Sequence, residues 1–161
     1  MPTPKPKKNA KAARAAAVNL VMIGGMPRTL GVRVVSLSRK KVIGEMRIKP
    51  RHLNHTGKVN GGAMMAFADV LGAVGAVTNR PPGYRGGTIE SKTNFFAAGT
   101  GPVLRAVTIP LHIGRTTSVW QTTITNPDGR VVAIVTQTQI MLPHERELSP
   151  SAGKPRASRR K

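Results

Sequence analysis

At 161 residues the chain is long enough for one domain with a core of ordinary size. Twenty-six Lys and Arg stand against six acids, a formal charge of +20, and there is no cysteine; this excludes a disulfide framework, a thiolate nucleophile and Cys-ligated zinc or iron–sulfur chemistry. The charge is uneven: residues 1–28 carry six basic and no acidic residues, residues 144–161 six basic and two acidic, and +10 remains for the body between, so both ends read as solvated basic tails.

The N-terminal segment interleaves Pro2, Pro4 and Pro6 with lysines and has no sustained apolar stretch before a cleavage-like site, so no secretory signal is read and a cytoplasmic location is expected. Residues 10–23, AKAARAAAVNLVMI, predict a helix stopped by Gly24, Gly25 and Pro27. LGVRVVSL at 30–37 and VIGEMRI at 42–48 alternate around the polar turn SRKK and predict a β-hairpin. A loop follows from Pro50 to Gly57. It holds His52 and His55, whose spacing invites a metal reading, but no nearby carboxylate completes a ligand set, so they read as polar loop residues and no metal or cofactor is expected.

Residues 61–78, GGAMMAFADVLGAVGAVT, form an apolar helix-like run whose only ionisable side chain is Asp69. Apolar residues occupy every helical face, which predicts a helix enclosed by protein, and an enclosed carboxylate costs several kcal/mol unless it is paired or used. The central Asp and four glycines argue against a membrane span. Strands are predicted near 87–96, 103–114, 116–126 and 130–142, with Asn126-Pro127-Asp128-Gly129 as the turn between the last two and Pro110 marking an edge or bulge. One long helix among six strands predicts an antiparallel α+β domain with the helix against the sheet.

At 52–69 the chain reads HLNHTGKVNGGAMMAFAD, and here it resembles the hotdog-fold acyl-CoA thioesterases of the phenylacetate-degradation type. Their signature is a loop Asn, a Gly three residues on, a His-Gly-Gly that starts the long helix, and an acid eight residues after the first of those glycines. The likeness covers roughly residues 20–142, including TIESKTNFFAAG after the helix, and implies a hotdog thioesterase domain there, its sheet wrapped around the central helix; the charge pattern sets beside it a basic N-terminal tail and helix start over 1–19 and a basic C-terminal tail over 143–161. It implies that Asp69 is general base or nucleophile, that Gly61 offers its N–H to the thioester oxygen, that Asn54 orients substrate or water, and that Thr88 lies near the attacking water. Gly62 and Asn60 would then touch substrate; Asn60 stands where the family has its histidine. Independently, a helix starting at Gly61 presents free N–H groups and the positive end of its dipole, which suit a developing oxyanion.

Asp69 is eight residues from Gly61, about 12 Å along a helix and beyond the reach of its side chain. Either another part of the chain or a second copy must bring an acid to the Gly61 amide. The remaining acids, Glu45, Glu90, Asp128, Glu145 and Glu147, fall mostly on predicted strands, turns or the tail. A homodimer, or a dimer of dimers, with shared sites is therefore expected, as the resemblance also implies. The expected activity is hydrolysis of a small to medium acyl-CoA, aromatic or aliphatic, to free acid and CoA. The alternative is a non-catalytic acyl-CoA-binding protein on the same fold. With one Trp, one Tyr and three Phe, and no stacking motif among the charges, the basic tails predict at most a salt-sensitive, sequence-independent attraction to nucleic acid.

Overall fold

The computed structural model describes residues 6–144. The C-terminal tail from residue 145 onward and residues 1–5 of the N-terminal one lie outside the described residues. The remainder of the N-terminal segment is no solvated tail. Its alanine-rich stretch forms α1 (Pro6–Val21), as the high helix propensity of Ala favours, with Ala15 buried and Val18 packed on the core. The helix begins earlier than expected, and a second short helix, α2 (Gly25–Leu30), follows where a break was expected. Pro27 does not block it, because in a first turn the missing N–H has no intrahelical partner to lose. Gly31 closes α2 in the left-handed region (φ 69), its N–H bonded to Arg28 O.

The six strands are β1 (Val32–Ser38), β2 (Lys41–Arg47), β3 (Tyr84–Phe95), β4 (Val103–Ile113), β5 (Thr117–Thr125) and β6 (Val131–Pro143). They form one antiparallel sheet in the order β1-β2-β4-β5-β6-β3. The expected hairpins are present, and the ladder between β4 and β5 slips between Pro110 and His112, the bulge that Pro110 signals. Pairing of β4 with β2 ends at Thr108, so the proline removes no bond from that side.

The two edges of the sheet differ. On β1, Asn19 of α1 acts as a substitute strand: its Nδ2 donates to Val34 O (2.8 Å) and its Oδ1 accepts from Val34 N–H (2.9 Å). The other edge, β3, pairs with β6 alone and is exposed along most of its length, with Ile89, Phe95 and Phe96 all in contact with solvent.

Across the sheet lies α3 (Gly61–Asn79), whose buried residues Met64, Phe67, Ala68, Leu71, Gly72, Gly75 and Ala76 recur at helical spacing as one stripe. Two glycines let it lie close to the sheet. A Cβ on Gly75 would stand 2.7 Å from the Trp120 ring, and one on Gly72 would overlap the Gln137 amide. The expectation of an enclosed helix is corrected here: Met65 and Val77 are exposed and Asp69 is half-buried, because one chain covers only the stripe facing the sheet. By length and composition α3 could cross a membrane, but in this fold its apolar stripe forms the core.

Candidate active site

Asp69 leaves α3 midway along its length and meets the inner face of β3 and β6. Thr88 Oγ1 donates to Asp69 Oδ1 at 2.7 Å, and Gln137 Nε2 donates to the same oxygen at 3.2 Å. Gln139 Nε2 in turn donates to Thr88 Oγ1 at 2.8 Å. Thr88 and Gln139 are register partners, and Gln137 lies two residues along on the same face. The result is a chain of donors, Gln139 to Thr88 to Asp69, in which a hydroxyl that accepts one hydrogen bond gives a polarised one onward.

An ionised carboxylate only accepts, so Gln137 must turn its NH2 group toward Asp69. Its Oε1 is then buried without a partner, beside Gly72. A buried, unpaired amide oxygen costs about 1–3 kcal/mol. Carrying that cost next to the one carboxylate of α3 fits a residue kept for orientation rather than for stability. Both bonds fall on Oδ1, which leaves Asp69 Oδ2 without a donor among the described residues.

Asp69 borders two clefts. One, of about 280 Å³, lies between α3 and the β3–β6 pair and includes Ala73, Arg80, Gly86 and Thr88. The other, of about 440 Å³, runs between α3 and the α1–α2 segment. A larger cleft of about 600 Å³ opens on the opposite face of the sheet, around Arg33, Arg47 and Arg105. It holds none of the candidate residues, and its charges are drawn together by Glu45, 3.6 Å from Arg33 and 3.4 Å from Arg105.

The remaining candidates gather at the start of α3. Asn60 is its N-cap, with Oδ1 accepting from Gly62 N–H at 2.8 Å. The two residues expected to touch substrate thus bond each other and fix the first turn. The Gly61 N–H donates to no group among the described residues. Asn54 organises its own loop: its Oδ1 accepts from Thr56 N–H, Thr56 Oγ1 and Lys58 N–H, at 2.8 to 3.1 Å. His52 is buried and also occupied locally, Nδ1 accepting from Lys49 N–H and Nε2 standing 3.4 Å from Thr29 O, whereas His55 is exposed.

One chain therefore joins Asp69 and Thr88 but leaves Gly61 about two helical turns away, with Asn54 in the loop before that helix. Gln137 and Gln139 escaped the sequence reading. Their signal is present in VTQTQIM: two glutamines share strand parity with the core residues Val135 and Met141, so they must face inward.

Comparison with known proteins adds relatives. The thioesterase superfamily model matches residues 56–133, which takes in Gly61, Asp69 and Thr88 and stops before Gln137. The proofreading thioesterase EntH of Cronobacter sakazakii is 32% identical over 115 residues, 71% of this chain and 83% of its own. The PaaI protein of the E. coli phenylacetic acid degradation operon superimposes with a TM-score of 0.72 at 20% identity, over 83% of this chain and 94% of that one. A hypothetical thioesterase of Streptococcus pneumoniae, solved with coenzyme A, gives a TM-score of 0.64 at 26% identity, over 70% and 86% of the two chains.

Proposed function

We propose, from the premise that this chain belongs to the thioesterase superfamily, adopts the hotdog fold and is a thioester hydrolase, that Asp69 carries the cleavage of a small to medium acyl-CoA. The observation that carries this reading is the setting of Asp69: both donors hold Oδ1, Oδ2 has no donor among the described residues, and the residue lines two clefts. In the general-base route Oδ2 takes a proton from water as its oxygen bonds to the thioester carbon. The tetrahedral intermediate then collapses, the C–S bond breaks, and the proton passes to the departing thiolate. In the nucleophilic route Oδ2 attacks the thioester carbon, the C–S bond breaks as the thiolate departs and leaves an acyl anhydride on Asp69, and water then cleaves that anhydride to the free acid and the carboxylate, its proton passing to the thiolate. Thr88, fixed by Gln139, keeps the carboxylate from rotating in either case.

The oxyanion needs a donor, and Gly61 N–H of the same chain is too far along the helix to serve. A second copy supplies it in a two-fold dimer. The open β3 edge supports that assembly, since a long, exposed, partly apolar edge strand pairs with another chain unless it is blocked. The excess of positive charge suits a polyanionic substrate such as coenzyme A, and the expected companion of this reading is a soluble, cytoplasmic enzyme with basic tails outside its catalytic domain.

Thiol release from a panel of acyl-CoA esters tests the reading directly, because a chain without cysteine leaves the thiol reagent to report product alone. Asp69→Asn is expected to lose about a hundredfold or more in turnover, the size typical of an acid–base group. Tight binding of acyl-CoA with no turnover by the native chain would instead establish the non-catalytic acyl-CoA-binding alternative.

A further inference from the structure

The cleft between α3 and the α1–α2 segment has a composition that selects its occupant. Val18 and Val21 of α1, Met22 just beyond its end and Met26 of α2 form one wall, and Val70 and Val74 of α3 form the other. Asp69 stands at its margin and also lines the smaller cleft on the β3 side. A thioester carbonyl at Asp69 can therefore direct its acyl group into one opening and its thiol portion into the other. The apolar groove follows α3 from Asp69 to Thr78, nine residues or about 13 Å. Its volume of about 440 Å³ falls within the range of about 300 to 1,000 Å³ usual for ligand pockets.

Polar groups are scarce in it. Asp69 is committed to the reaction, and the Thr78 hydroxyl donates to Val74 O at 2.7 Å. A ring hydroxyl placed in the groove would lose its water without gaining a partner, a penalty of roughly fivefold to a hundredfold in affinity. Among the described residues no aromatic side chain lines the walls for a ring to stack on, and the two methionines supply flexible, polarizable surface that follows a slender chain. On the reading of Asp69 given above, we infer that the groove between α1–α2 and α3 is the acyl-binding site, and that it takes an unbranched, unsubstituted aliphatic chain in preference to a hydroxylated aromatic group. An extended chain advances roughly 1.2 Å per bond, as an extended backbone does, so the groove holds about ten or eleven bonds and favours chains near decanoyl.

The test pairs binding with turnover. Stable S-alkyl-CoA thioethers with butyl, hexyl, octyl and decyl chains, and an S-(4-hydroxyphenacyl)-CoA thioether, are titrated calorimetrically into the full chain. Affinity is expected to rise about twofold to fourfold per added methylene up to the decyl compound, the upper value being that of a fully buried CH2, and the hydroxyaryl compound is expected to bind more weakly than decyl. Val74→Phe, which fills the middle of the groove, should lower the decyl-to-butyl affinity ratio at least tenfold. Met26→Ala, a truncation at an exposed position that does not threaten the fold, should lower the same ratio severalfold. In thiol release, the decanoyl-to-butyryl ratio of kcat/KM should fall in parallel in both variants. Affinity that does not change with chain length, or variants that weaken short and long chains equally, would overturn the assignment, as would hydroxyaryl binding tighter than decyl. Chain-length-dependent binding without turnover would leave the groove assigned and refute the hydrolytic role of Asp69, so the two readings fail separately.

Discussion

Gly61 is the first helical residue of α3, and that position permits an unusually clean removal of one hydrogen-bond donor. Proline is well tolerated at a first helical position, because its fixed φ suits the helix and its missing N–H has no intrahelical acceptor. The preceding Asn60 already has the extended geometry (φ −62, ψ 138) that a following proline requires. The new ring would press on Phe95, whose ring lies 3.0 Å from an ideal Cβ at Gly61 but is half exposed and free to yield. Gly61→Pro is thus expected to fold like the native chain, by circular dichroism and thermal melting, while turnover falls about 10²–10³-fold, as for loss of one oxyanion donor. Native turnover in a folded variant would remove Gly61 from the site. Gln137 offers the opposite dissociation. Gln137→Leu deletes the donor to Asp69 together with the buried Oε1 that has no partner. Stability should hold or rise by about 1 kcal/mol, a gain of roughly 2–4 °C in Tm for a domain of this size, while turnover drops about tenfold or more as the carboxylate loses one of its two supports. A variant that is both less stable and fully active would show that Gln137 serves the core and not the site.

Among the elements, α1 shows how the sheet is finished on one side and what sequence alone reveals. Asn19 satisfies both the N–H and the C=O of Val34, a residue only 2% exposed. Asn19→Ala should therefore cost about 1–3 kcal/mol through the backbone groups it leaves unpaired, read as a fall of several degrees in Tm with the turnover of the folded enzyme little changed. A melting temperature equal to the native one would mean that α1 rests on β1 without closing its edge. The strands and the long helix were legible because their signals are local: alternation for the strands, an unbroken apolar run for α3, and Gly129 where the last hairpin turns at φ 89. Asp69 was legible for the same reason, as the one charge in that run. The helix α2 was not, since Gly24, Gly25 and Pro27 are breakers by propensity and only packing beside α3 and the Gly31 cap make a helix there. Gln137 and Gln139 were missed for a different reason. Their meaning depends on the register between β3 and β6, which brings Gln139 to Thr88, 51 residues away in the chain, and no local pattern states a register. Likewise, the roof that α1 and α2 place over the groove is tertiary, and the same residues read in sequence only as a helix followed by a stop.

At the scale of the whole molecule, one helix separates the two halves of the proposed chemistry. Asp69, Thr88 and the glutamines stand at its middle, the Gly61 amide stands at its start, and the unpaired edge of β3 runs beside them. If two copies join along that edge so that each lends its Gly61 amide to the other's Asp69, then damage to the two groups must be separable between chains. Asp69→Asn and Gly61→Pro should each be nearly inactive as homodimers. Mixed in equal amounts and allowed to exchange subunits, half of the dimers should be heterodimers. In each of these one site carries both lesions and the other carries neither. Activity should then recover to about one quarter of the native specific activity, far above either variant alone. A site built within one chain gives no recovery at any mixing ratio. Dilution of the native enzyme supplies the matching observation: turnover per chain should fall as dimers dissociate, and sedimentation should place that loss at the concentration where the monomer appears. A monomer that retained full turnover would mean that some group other than a partner's Gly61 stabilises the oxyanion, and the open β3 edge would then need a different explanation.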